Sequence, residues 1–234
     1  MTVRVGVVLF PGTNCELDVQ WAIEHLGGGE HLGGEAVLLW HGDATVQDVD
    51  AVVVPGGFAH GDYLRTGAIA RFSPVMTAVG EFAAAGGPVV GICNGFQVLA
   101  EAHLLPGALQ KNEGLTFVCD TATLRVETTR SALTGLCAVG EELRIPINHF
   151  EGNYVCSPET LAELRDQDRV VVRYVENPNG SLDDIAGICN EAGNVVGLMP
   201  HPERASDPLL GSADGVVMLR SLLAAADEQA RARA

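Results

Sequence analysis

Pro88-Val-Val-Gly91-Ile-Cys93-Asn-Gly95-Phe-Gln97-Val-Leu99 decides the fold: an apolar run of strand character meets a Gly-x-Cys-x-Gly turn and passes into an apparent helix. Glycines two before and two after the cysteine leave room for a sharp strand-to-helix reversal, the nucleophile-elbow arrangement. Such a turn lifts one side chain, here Cys93, above the edge of a sheet. Its thiol then sits at a helix N-terminus, where unpaired N–H groups and the helix dipole favour the thiolate. Taken alone, the pattern equally fits tight strand–helix packing around an inert buried cysteine, so the remaining chain has to decide.

Working outward, residues 3–10, 36–40 and 51–55 are β-branched runs like 88–92, the pattern of strands buried on both faces. Between them Val19, Ile23 and Leu26 recur at helical spacing, as do Val75, Val79, Phe82 and Ala83. Strands alternating with helices predict an α/β fold with a doubly wound, mostly parallel central sheet and flanking helices. Beyond about residue 115 the strand-like pieces 115–126, 170–175 and 185–190 add a mixed sheet. A last strand over 195–199 runs into Pro200-His-Pro-Glu-Arg204, and a helix over 215–230 turns Val216, Leu219, Leu222 and Leu223 inward. No composition break divides the chain, so residues 1–234 are read as one domain.

The 234 residues are 47% hydrophobic and 19% charged, enough apolar material for a large core. No apolar run is long enough for a membrane span and no leader pattern opens the chain, so a cytoplasmic protein is expected. A net charge of −16 repels phosphate backbones and argues against nucleic-acid binding. Six cysteines without a CxxC pair suggest neither a disulfide framework nor a zinc site. The stretch 27–34 carries five glycines and no lysine, which reads as a surface loop and a poor phosphate cradle. The one lysine, Lys111, follows a loop-like Pro106-Gly107 and offers little for Schiff-base chemistry.

A thiolate attacking an amide needs a proton donor for the departing amine and donors for the tetrahedral oxyanion. The N–H of Asn94 is one such donor by construction of the elbow. Pro55-Gly56-Gly57-Phe58, directly after another buried strand, offers a second at Gly57. Met199-Pro-His201-Pro-Glu203 supplies a histidine with a carboxylate to orient it; on extended backbone, residues two apart point the same way. A second His-x-Glu at His149-Phe-Glu151 raises a metal site as an alternative, but no third ligand cluster accompanies the two pairs, and no metal is expected.

These residues resemble the class I, triad-type glutamine amidotransferases, in which a Cys in Gly-x-Cys-x-Gly-x-Gln and a later His-x-Glu form the catalytic set. Leu9-Phe-Pro-Gly-Thr-Asn-Cys15-Glu-Leu-Asp18, the run 55–72, Gly91 to Gln97, Met199 to Arg204, the run 179–187 and the run 210–215 together resemble the family of glutaminase subunits of phosphoribosylformylglycinamidine synthase. The likeness spans nearly the whole chain and implies a flavodoxin-like amidotransferase fold.

The resemblance further implies catalytic Cys93, His201 and Glu203, with Gly57 and Asn94 as oxyanion donors and Gln97, Gly56 and His149 around the substrate glutamine. It implies a large ATP-using synthase subunit that receives the ammonia, with ATP and magnesium bound there and no cofactor in this chain, and a small bridging subunit. Residues 61–72 are then a candidate partner contact. The chain departs from the family pattern at Phe150, where the family has glycine, and that change is expected to reshape the end of the glutamine pocket. Rival readings are the amidotransferase of another synthase, a free-standing cysteine hydrolase and a silent binding subunit.

Overall fold

Residues 2–25 and 33–233 are described in a computed structural model of the chain. Leu26 and most of the glycine-rich stretch read as a surface loop lie outside them. The strands are β1 (Arg4–Leu9), β2 (Glu35–Trp40), β3 (Ala51–Val54), β4 (Val89–Ile92), β5 (Ala108–Gln110), β6 (Val118–Val126), β7 (Glu142–His149), β8 (Asn153–Val155), β9 (Val170–Tyr174), β10 (Ile185–Cys189) and β11 (Val195–Leu198). The helices are α1 (Glu16–His25), α2 (Pro74–Ala84), α3 (Asn94–Glu101), α4 (Pro158–Asp166) and α5 (Gly215–Arg233).

Nine strands make one sheet in the order β2-β1-β3-β4-β11-β10-β9-β6-β7. The first five run parallel, with β11 taking the fifth place of a flavodoxin-like winding. From β11 onward every pairing is antiparallel, which makes the expected mixed part a direct continuation of the parallel one. β5 and β8 pair separately. Val19 and Ile23 of α1, Val75, Val79, Phe82 and Ala83 of α2, and Leu219, Leu222 and Leu223 of α5 are buried as their spacing predicts.

Two local expectations need correction. The run 36–40 is not buried on both faces: β2 has β1 as its single neighbour, and although Leu39 is buried, Leu38 and Trp40 are exposed. The helix α4 arises where the strand-rich reading of the second half passed over its signal. Ser157 caps it by accepting from the Thr160 N–H at 3.2 Å, and Pro158 occupies the first turn, where its missing N–H costs nothing.

Candidate active site

β4 ends at Ile92, and Cys93 takes a strained positive-φ conformation with φ 51° and ψ −107°. A non-glycine residue held there stores about 1–3 kcal/mol of strain, which the surroundings must hold in place. A Cβ on Gly95 would run into the Val54 carbonyl, and one on Gly91 would stand 2.6 Å from Gly95 O, so both elbow glycines are needed for α3 to press onto β3 and β4. The Cys93 N–H donates to Leu198 O at 2.8 Å and ties the turn to the end of β11.

That tie brings the two halves of the site together. β4 and β11 are parallel neighbours with Ile92 opposite Leu198, so Cys93 and His201 leave the sheet from the same edge. Between them stands Gly56, at the end of β3. A Cβ at this position would lie 2.8 Å from His201 Cε1, 3.0 Å from Cys15 Sγ and 3.5 Å from Cys93 Cβ. Gly56, expected around the substrate, is the spacer that leaves room for the imidazole among these three cleft residues.

His201 Nδ1 and Glu203 Oε1 are 2.6 Å apart, and both residues are 1% exposed. Burial opposes charge on the ring, but the Glu203 carboxylate and then the Cys93 sulfur outweigh it and hold the His201 pKa well above the ordinary histidine value. Nε2 is buried with no partner inside hydrogen-bond distance among the described residues. The backbone does this differently from the expectation: Pro202–Ala205 forms a 3-10 turn, and that turn, not an extended strand, swings Glu203 back onto the ring. Cys15, His201 and Glu203 also place ligand-type atoms within 4.8 Å of one another, but Glu203 already holds Nδ1.

The other expected residues divide between wall and support. Gly57, with φ 144°, lines the cleft and lies close against the 13–14 backbone, where a Cβ would meet Asn14 N at 2.7 Å. The Asn94 side chain is a brace: Oδ1 accepts from the Ala59 N–H at 2.9 Å, while Nδ2 donates to Asp62 Oδ1 at 3.1 Å and Gln97 Oε1 at 2.9 Å. Gln97 lines the cleft and donates from Nε2 to Glu151 O at 2.5 Å. His149 also lines it. Its Nε2 accepts from Asn179 Nδ2 at 3.1 Å, and burial, followed by nearby His201, pulls its pKa down to about 4, so the ring is neutral.

The cleft opens at the carboxyl ends of β1, β3, β4 and β11, the edge where doubly wound sheets place ligands. Its lining includes three residues that the motif reading passed over as site residues. Cys15 accepts from Arg204 Nη2 at 3.1 Å, and Asp62 and Glu151 contribute carboxylates. Glu151 was marked only by the His-x-Glu pattern weighed for a metal, and no local chemical pattern marks Cys15 or Asp62. Phe150 lines the same cleft.

Over residues 2–214 the chain matches the CobB/CobQ-like glutamine amidotransferase domain. It is 60% identical over 223 residues to the phosphoribosylformylglycinamidine synthase subunit PurQ of Rubrobacter xylanophilus, covering 95% of this chain and 99% of that one. The chain belongs to the PurQ family. A second PurQ relative, from Koribacter versatilis, is 53% identical over 95% of this chain and 98% of its own length. Among solved structures, PurLQS from Thermotoga maritima matches with a TM-score of 0.86 at 40% identity, over 96% of this chain and 99% of that one. A putative GMP synthase protein from Thermoplasma acidophilum shares the fold, with a TM-score of 0.69 at 14% identity over 100% of this chain and 98% of that one.

Proposed function

We propose that the chain is the glutaminase subunit of phosphoribosylformylglycinamidine synthase, and that Cys93 is its nucleophile. The observation that carries this reading is the buried His201 imidazole, bound at Nδ1 by Glu203 at 2.6 Å and closed in beside Cys93 by Gly56. The Cys93 thiolate attacks the side-chain amide carbon of glutamine, and the carbonyl electrons move onto oxygen. The N–H groups of Gly57 and Asn94 stabilise that oxyanion. His201 gives a proton to the amine as the C–N bond breaks, which leaves ammonia and a γ-glutamyl thioester. Water, deprotonated by His201, then attacks the thioester and releases glutamate and the thiolate, while Glu203 keeps the ring in the productive tautomer.

Ammonia loses its nucleophilicity when protonated in water, so the subunit works with a large ATP-using synthase subunit that receives it under cover, joined by a small bridging subunit. ATP and magnesium belong to that partner, and this chain needs no cofactor of its own. The ammonia converts formylglycinamide ribonucleotide to the amidine in purine synthesis. Residues 1–234 act as one amidotransferase domain in the cytoplasm; among the described residues no helix is long and apolar enough to cross a membrane.

Cys93→Ala tests the reading in the assembled complex. Glutamine-dependent synthesis is expected to vanish while synthesis from added ammonium survives; retained glutamine use would overturn it.

A further inference from the structure

The proposed triad stands between two cavities. Cys93 and His201 line the glutamine cleft, whereas Glu203 lines a second cavity of about 470 Å³ together with Asp18, Trp21, Pro146, Arg204 and Leu210. That volume is in the range of pockets that take a ligand group. Arg204 belongs to both walls. Pro146 supports the same histidine, because its carbonyl accepts the His201 N–H at 2.8 Å. Whatever enters this second cavity meets two residues that hold His201.

Glu203 is left short of a donor there. Its Oε1 is 2.6 Å from His201 Nδ1, but Oε2 is buried with no hydrogen-bond partner among the described residues, and the residue is 1% exposed. A buried carboxylate oxygen without a donor is costly. Arg204 does not fill the role, since its guanidinium is turned to Asp18 Oδ2 and to Cys15 Sγ, each at 3.1 Å. Two carboxylates against one guanidinium leave the wall negative, on a chain whose net charge is −16, so its complement is basic.

The mouth of the cavity is apolar. Trp21 is 41% and Leu210 55% exposed; Leu209 follows at 94%, and Leu17, also exposed, precedes Trp21 by one turn on the same face of α1. Exposed apolar side chains gathered at a rim mark an interaction site. Leu17 and Leu209 lie outside the cavity, where a macromolecular surface can cover them and a small ligand in the cavity cannot.

We propose that this cavity receives one lysine or arginine side chain of the large synthase subunit, its stem packed against Trp21, Pro146 and Leu210 and its charged head donating to Glu203 Oε2. Such side chains lay an aliphatic stem along apolar surface and keep a polar head, which matches an apolar mouth over an acidic floor. The assignment rests on the glutaminase reading above and goes beyond it: docking reaches the triad from behind. In the free chain burial opposes charge on the ring, but Glu203 and then Cys93 hold the His201 pKa well above the ordinary value. A donor on Oε2 draws carboxylate charge away from the ring. His201 must both give and take a proton, so the seated head group raises kcat.

The test compares Leu210→Asp and Trp21→Ala with the wild type, as free chains and in the complex rebuilt with both partner subunits. Neither residue lines the glutamine cleft. Unchanged melting temperature and unchanged glutamine-protected labelling of Cys93 by 6-diazo-5-oxonorleucine are expected in the free variants. At saturating partner, the rise in glutamine-dependent kcat over the free chain should shrink roughly tenfold or more. A rise of wild-type size in both variants overturns the proposal. An independent readout places the photo-crosslinking residue p-benzoylphenylalanine at Leu210 in the assembled complex. Coupling beside a lysine or arginine of the large subunit is expected; coupling to the bridging subunit or to a second copy of this chain overturns the assignment. If the wild-type chain shows no glutamine-protected labelling of Cys93, the glutaminase reading itself fails. If protection is normal and the rise survives in both variants, the docking assignment alone falls.

Discussion

Gly56 and His201 stand so close that a single methyl group does not fit between them: a Cβ on residue 56 would lie 2.8 Å from His201 Cε1. Gly56→Ala should therefore push the imidazole off line and lower glutamine-dependent kcat by about 100-fold, the scale of a misplacement near 1 Å. Ammonium-dependent synthesis by the complex is expected to continue. Steady-state assays with the two nitrogen sources check this, and normal glutamine turnover would show that the ring has room to spare.

Gly95 answers to packing rather than chemistry. Its missing side chain lets α3 rest directly on the Val54 carbonyl. Gly95→Ala should destabilise the fold by about 1–3 kcal/mol or more, because the overlap is with backbone and cannot be relieved by a rotamer change. A thermal melt reads this as a clear drop in Tm. An unaltered melt would mean the helix shifts freely on the sheet.

His149 makes the fold sensitive to acid. Burial, followed by His201, depresses its pKa to about 4, whereas in the unfolded chain it titrates near 6.5. The unfolded state therefore binds the proton first, and the stability this group contributes is full above pH 6.5 and lost as the pH falls toward 4. The loss amounts to about 3 kcal/mol across that window. Denaturant melts of the wild type and His149→Gln should converge at low pH; parallel curves would remove His149 as the cause.

Tyr63 and Leu64 are 73% and 89% exposed beside the cleft-lining Asp62, on a segment clamped to α3 by two bonds from Arg65 to Glu101, at 2.5 and 2.6 Å. Large apolar groups in such a setting are candidates for the partner contact. Tyr63→Ala with Leu64→Ala should leave the melting temperature of the free chain unchanged while weakening assembly with the large synthase subunit roughly tenfold or more. Sedimentation of the mixed subunits checks this, and undiminished assembly would place the interface elsewhere.

The elbow was legible because its signal is local: a strand, two glycines at fixed offsets and a helix lie within twelve consecutive residues. The His201–Glu203 pair was legible for the same reason, although the chain joins them by a 3-10 turn where extended backbone was expected. What no local pattern carries is the insertion of β11 beside β4, since pairing across a hundred residues depends on how the intervening strands fold away. Cys15 illustrates the cost. In sequence it is one of the five thiols outside the elbow, and in space it shares the Gly56 contact with Cys93 and His201. Glu151 was noticed only as half of a His-x-Glu pair weighed for a metal, and Asp62 only within a run read as a partner contact; their place in the cleft depends on how distant elements meet. The capping serine of α4 was readable and outweighed by the strand-rich context around it.

The adjacency of β4 and β11 has a consequence for how such a chain diversifies. The sulfur and the imidazole each hang from the tip of a rod, and the two rods are bonded to one another along their length. Within the peptide spooled out between residues 100 and 194, β7 alone holds the reacting pair directly, the His201 N–H donating to Pro146 O at 2.8 Å and Cys93 Sγ to Asn148 O at 3.6 Å, so the turns remote from it can grow or shrink without re-aiming the pair.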